Sequence, residues 1–231
     1  MSFTYLSLCN DVLRRINEVE IASAEFSNVR GIQSLAKDAV QDTLDQINQQ
    51  EFEWPWNHTT ETMTLTPGKV DYDLPANIKI PEWDSFLVID PGGDVSGPSM
   101  GRLRQMSREE WYSNGRVEDY REGVAGRGRP THVFPWSNHG FGVTCSPDKA
   151  YLIRYEAYQK RQELVLPADE PRVPFEFRNV IVSGALYHMY MFKDNTEQAA
   201  FTRDVFDQGI QNMQTLYINS FNNVFTNRKI G

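Results

Sequence analysis

Residues Pro174 to Phe221 form two apolar helical stripes separated only by Lys193-Asp194-Asn195, and this pairing constrains the fold more than any other feature of the chain. Phe177, Ile181, Ala185, His188 and Met189 fall near one another on the first helix, and Val180, Gly184, Tyr187 and Met191 widen its apolar surface. Gly184 and Ala185 would let another helix approach closely. Asn195 suits the cap of the second helix, Glu197 its first turn, and Ala199, Phe206, Ile210, Met213, Leu216 and Tyr217 its core stripe. Neither helix has an apolar run long enough to span a membrane, and neither face carries a nucleophile or metal cluster. The pair reads as scaffold.

A matching helical pair opens the chain. Tyr5, Leu8, Cys9, Val12, Leu13 and Ile16 recur at spacings of three and four, which predicts a helix running to about Glu18. Ser27 or Asn28 can cap a second helix of about 22 residues whose stripe is Val29, Ile32, Ala36, Ala39, Val40, Thr43, Leu44 and Ile47. Phe52-Glu53-Trp54-Pro55-Trp56 then packs three aromatics around a proline, either as a hydrophobic plug at a module junction or as a platform on which a ligand stacks.

From Thr59 the period changes to two. Thr60, Thr62, Thr64 and Thr66 alternate with Glu61, Met63 and Leu65; Pro67-Gly68 turns the chain, and Val70, Tyr72 and Leu74 alternate again, a β-hairpin pattern. Further strands are predicted over Phe86–Ile89, Thr131–Phe134, Gly142–Cys145 and Ala150–Tyr158, and Ser107-Arg108-Glu109-Glu110 has the spacing of a capping box. Ser113 to Pro130 is polar and glycine-rich and reads as an exposed loop. Arg127 and Arg129 make its end locally basic, suited to an acidic partner or phosphate, but no P-loop ending follows. Pro167, Pro171 and Pro174 hold the return in extended form, and Pro174 suits a helix's first turn. The fold class is therefore α+β: a four-helix bundle formed by the N- and C-terminal helical pairs (1–50 and 174–221), an inserted, mostly antiparallel β module (51–173) and a C-terminal tail (222–231).

The net charge of −8 excludes a nucleic-acid-gripping domain, because residues 1–50, 51–172 and 173–231 carry 4, 14 and 5 basic side chains against 7, 19 and 5 acidic ones. Cys9 and Cys145 lie far apart without a CxxC or histidine partner and read as buried small hydrophobes. His58, His132, His139 and His188 never fall at metal-binding spacing, and no GxSxG, HExxH or nucleotide-binding glycine fingerprint is present. Neither an enzyme nor a cofactor is expected. The amino terminus lacks the basic start and apolar core of a leader, which points to synthesis and use in a cytoplasm.

Several local sequences taken in order resemble one family. They are Leu8-Cys9-Asn10-Asp11-Val12-Leu13 with Asn17-Glu18-Val19, then Phe52 to Trp56, Ser146-Pro147-Asp148 leading into Tyr151 to Tyr158, and Pro174 to Asn195. The chain resembles the head-to-tail adaptors of tailed bacteriophages, in the form called tail tubular protein A. The resemblance implies a non-catalytic virion protein, assembled in the host cytoplasm. Its subunits would form a ring, usually dodecameric, in the neck between the portal protein and the tail nozzle or tube. Genome DNA would transit the channel without sequence-specific binding and without a membrane. Carried over by position, portal binding would fall to Phe221, Val224, Phe225, Arg228, Lys229 and Ile230. Arg127 and Arg129 would belong to an inter-subunit or tail-facing loop, and Phe52, Trp54 and Trp56 to the module junction. Two other readings stand beside it: another phage tail component, such as a terminator or baseplate protein, and a ligand-binding or enzymatic α+β protein using the aromatic junction as its pocket.

Overall fold

A computed structural model describes residues 3–51, 53–92, 99–114, 119, 126–137 and 139–219. Its elements are α1 (Tyr5–Arg15), α2 (Ile32–Gln50), β1 (His58–Thr64), β2 (Asp71–Asp73), β3 (Ile78–Pro81), β4 (Leu87–Asp90), β5 (Ser99–Arg102), β6 (Arg104–Gln105), α3 (Arg108–Asn114), β7 (His132–Pro135), β8 (Gly140–Thr144), β9 (Leu152–Gln159), α4 (Arg178–Phe192) and α5 (Thr196–Gln214). The fold is α+β. The chain divides into two compact units: Met1–Asn57 with Arg161–Gly231, and His58–Lys160.

In the helical unit α4 is the central element. It packs against α1, α2 and α5, so Ile181 to Leu186 are all buried and the helix is apolar nearly all round. Leu8, Val12, Val40, Ile47, Phe206 and Ile210 complete one continuous core. The neighbours come very close at Gly184, where an added Cβ would lie 2.4 Å from the Thr43 methyl and 2.9 Å from the Phe206 ring. The expectation of close helix approach at this residue is met.

Local chemistry sets the helix ends. Thr4 caps α1 by accepting from the Ser7 amide, while the Tyr5 and Leu6 amides donate to the Asp169 and Pro167 carbonyls of the proline-rich return. The helix stops at Arg15 rather than Glu18 because Asn17 adopts φ 58°, and the amides of Asn17 and Glu18 bond back to Arg14 and Leu13 in a Schellman motif. Asp194, at φ 55°, repeats the device after α4, with Asn195 bonded to Tyr190 and its side chain capping α5 through the Gln198 amide. Ser27 and Asn28 do not start α2. That helix begins at Ile32 after Gly31 takes φ 62°, a turn open to glycine, and it runs 19 residues. Pro174 does not enter α4 either; it precedes a 3-10 turn, Phe175–Phe177.

The β-rich unit holds two sheets that share a core. One runs β1-β9-β4-β5, with β3 also on β9, and is antiparallel; the other runs β2-β8-β7-β6, with only β6 and β7 parallel among its pairings. Phe86, Val88, Ile153 and Tyr155 of the first meet Val133, Phe141 and Val143 of the second. The expected hairpin does not form. Pro67-Gly68 does turn the chain, with Gly68 at φ 75° and the Lys69 amide on the Thr66 carbonyl, but β1 pairs along its length with β9 and β2 pairs with β8. Distant strands offered β1 the longer ladder. The capping box works as predicted on one side, since Ser107 Oγ accepts from the Glu110 amide at 3.1 Å.

Tyr155 stacks on Phe86 with ring centroids 4.7 Å apart, and its buried hydroxyl has no partner among the described residues. Tyr155→Phe should therefore raise the stability of this unit by up to about 1 kcal/mol, read from chemical denaturation, because it removes an unsatisfied polar atom and keeps the ring. A loss of stability would mean that the hydroxyl has a partner.

His188 gives a pH signature in the other unit. Burial lowers its pKa below the ordinary 6.5, against an opposing pull from Asp42 on α2, and its Nε2 accepts from the Gln46 amide at 3.1 Å, as fits a neutral ring. Its contribution is complete above the unfolded pKa. As pH falls through 6.5 the unfolded chain takes the proton first, so stability drops until the folded pKa is reached. The stability difference between the wild type and His188→Gln should shift in favour of the variant between about pH 7.5 and about pH 5. A difference independent of pH would show that His188 titrates as it does in water.

Candidate functional site

The aromatic cluster belongs to the helical unit. Trp54 is fully buried, donates its indole N–H to the Ile47 carbonyl at 3.0 Å and stacks on Trp56 at 4.7 Å; Tyr217 closes on Trp56 edge-on at 5.5 Å. The space beside Trp56, lined by Leu44, Asn48 and Val173, is about 10 Å³, room for no more than a single water. This cavity is too small to hold a stacked ligand. Phe52 lies outside the described residues.

Arg129 is engaged within its own unit. Its guanidinium donates to Ser99 Oγ at 2.9 Å and to the Val88 and Ser99 carbonyls at 3.3 Å, tying the end of the long loop to β4 and β5. Arg127 is exposed and lies against Gly68, whose hypothetical Cβ would come within 2.7 Å of its guanidinium. The structure thus separates the two: Arg129 holds the fold, and Arg127 faces solvent beside the Pro67-Gly68 turn. Residues 115–118 and 120–125 of this loop lie outside the described residues, as do Phe221, Val224, Phe225, Arg228, Lys229 and Ile230. Tyr217, on the π-helical turn that ends the described chain, donates its hydroxyl to Glu176 at 2.7 Å.

An open groove of about 690 Å³ lies in the helical unit between the end of α1 and the start of α4. Arg178 forms its floor, bonded to Asp11 Oδ2 at 2.8 Å through Nε and to the Ser7 carbonyl at 3.1 Å. Arg14 also pairs with Asp11, and with Glu20 at 3.3 Å. Among the described residues Arg15 reaches only Asn179, at 3.5 Å, and Phe175 stands half out of the rim at 53% exposure. Sequence reasoning missed this groove because Arg178 is far from Arg14 and Arg15 in the chain. The one available signal was Phe175, an aromatic placed between Pro174 and the core residue Phe177.

Burial pushes the Cys9 thiol up to about 12, which disfavours the reactive thiolate, and neither cysteine forms a disulfide among the described residues. Among the described residues no group of three or more His, Cys, Asp or Glu side chains could hold a metal ion, and no helix is long and apolar enough to cross a membrane. The model of the family described as SU10 adaptor protein matches residues 3–224, nearly the whole chain. No curated protein matches the chain.

Proposed function

The chain belongs to the SU10 adaptor protein family, a family of phage adaptors, and from that premise we propose that it forms a ring joining the portal to the tail nozzle or tube. The observation that carries this reading is the family match from residue 3 to 224, which spans both compact units. Membership makes the protein a structural virion component. In the proposal α1, α2, α4 and α5 act together as a four-helix body with the β-rich unit inserted between the pairs, and the ring sits in the neck, where the genome passes through its channel. The net charge of −8 supports passage over binding, since acidic walls repel phosphate.

The same reading gives residues 222–231 to the portal. Phe225 and Ile230 would fill apolar clefts, and Arg228 and Lys229 would meet acidic groups. Deleting these residues should abolish co-sedimentation with the portal ring while the thermal unfolding of the adaptor stays unchanged. Retained attachment would remove the tail from the interface.

A further inference from the structure

We propose that neighbouring subunits join head to tail by seating the Phe201 corner of α5 in the Arg15–Phe175 groove of the next copy. The inference rests on the ring reading and names its surfaces.

On this acidic protein the groove's lining carries three guanidiniums and two carboxylates, and Arg14 is further paired with Glu20 outside it. Arg14, Arg15 and Arg178 line it against two carboxylates, and both of those are already engaged: Asp11 by Arg14 and Arg178, Glu176 by the Tyr217 hydroxyl. Arg15 has no carboxylate partner among the described residues, and the Phe175 ring beside it is half in solvent. The site lacks an aromatic knob carrying negative charge.

The first turns of α5 present one. Ala199, Thr202, Phe206 and Ile210 face the core, which turns Phe201 and Val205 outward at 66% and 41% exposure. Glu197, one turn before Phe201, and Asp204, three residues after it, are exposed and form no ion pair among the described residues. The only cation on this stretch is taken: Arg203 pairs with Asp207 at 3.8 Å and lies over the Tyr187 ring. The face therefore reads acid, aromatic, acid, the complement of guanidinium and ring. Aromatic and arginine side chains are also those enriched in protein interfaces.

One copy cannot satisfy itself. The groove opens at the amino-terminal end of α4 and the knob follows its carboxy-terminal end, and the 15 residues between them span about 22 Å. A knob and a groove at different places on one helical unit make a heterologous contact, which gives a ring when the rotation between copies closes. Tyr217, near the end of the described chain, bonds Glu176 of the groove lining, but Arg228 and Lys229 farther along the sequence carry the same sign as the groove's unpaired Arg15. Charge favours α5 of the neighbour.

The test uses full-length protein assembled on the portal of the same phage and scored by sedimentation and imaging. Arg15→Glu and Glu197→Lys should each lower ring yield at least tenfold with no shift in melting temperature, and the double variant should restore it. Singles that assemble like wild type, or a double that stays as defective as its parents, would overturn the pairing. The same holds if ring yield falls only on deletion of residues 222–231, which would seat the tail in the groove instead. Failure of the wild type itself to form rings would strike the ring reading; failure confined to the variants' pattern strikes only the inferred interface.

Discussion

Replacing Asp119 with alanine should lower the stability of the β-rich unit by about 3 kcal/mol. Asp119 is buried, with one carboxylate oxygen accepting the Trp111 indole N–H at 2.7 Å and the other the Ser146 amide at 2.8 Å. Trp111 is itself the largest side chain of the small core formed with Val70 and Phe134, stacked on Phe134 at 4.7 Å and met edge-on by Trp136. Alanine takes the acceptor from both buried donors, and each donor left unmet costs about 1–3 kcal/mol. Asparagine keeps one acceptor oxygen and should lose about half as much. Urea unfolding followed by tryptophan fluorescence would measure it; an Asp119→Ala loss below about 1 kcal/mol would mean that water satisfies both donors.

Gly184→Ala should destabilise the helical unit by about 2 kcal/mol, although alanine in a helix interior is normally favoured over glycine by about 1 kcal/mol. The sign reverses because the new methyl would meet the Thr43 methyl at 2.4 Å and the Phe206 ring at 2.9 Å, on two different helices at once. Thr43 cannot swing aside cheaply. It is fully buried, β-branched, and its hydroxyl is committed to the Ala39 carbonyl at 2.7 Å. Overpacking of this kind costs about 1–3 kcal/mol beyond the propensity gain. The double variant Thr43→Ser/Gly184→Ala removes the nearest methyl and should recover part of the loss. Recovery of none would place the strain on Phe206 and the α5 side.

The helices were legible because their stripes are long and their stops are local. Asn17 and Asp194 end helices through backbone geometry that their own side chains tolerate, so the Lys193-Asp194-Asn195 break could be read directly. Gly31 was harder, since a glycine three residues after a good cap can be either inside a helix or its start. Strand existence was legible and strand pairing was not. Alternation in Thr60 to Leu74 marks two strands, but nothing local tells β1 to pair with Leu152–Tyr158 nearly a hundred residues away. The groove on α1 and α4 was invisible for the same reason: Asp11 and Arg178 meet across 167 positions. Arg129 shows the converse, an arginine that looks like a contact residue in sequence and spends donors on β4 and β5 of its own unit.

The adaptor reading is tested most directly by imaging the portal ring of the same phage before and after mixing with the full-length protein. The account predicts a second ring stacked on one end of the portal, with subunits related by a single repeated contact. A portal that stays bare across several salt concentrations, with the adaptor remaining in solution, would contradict it.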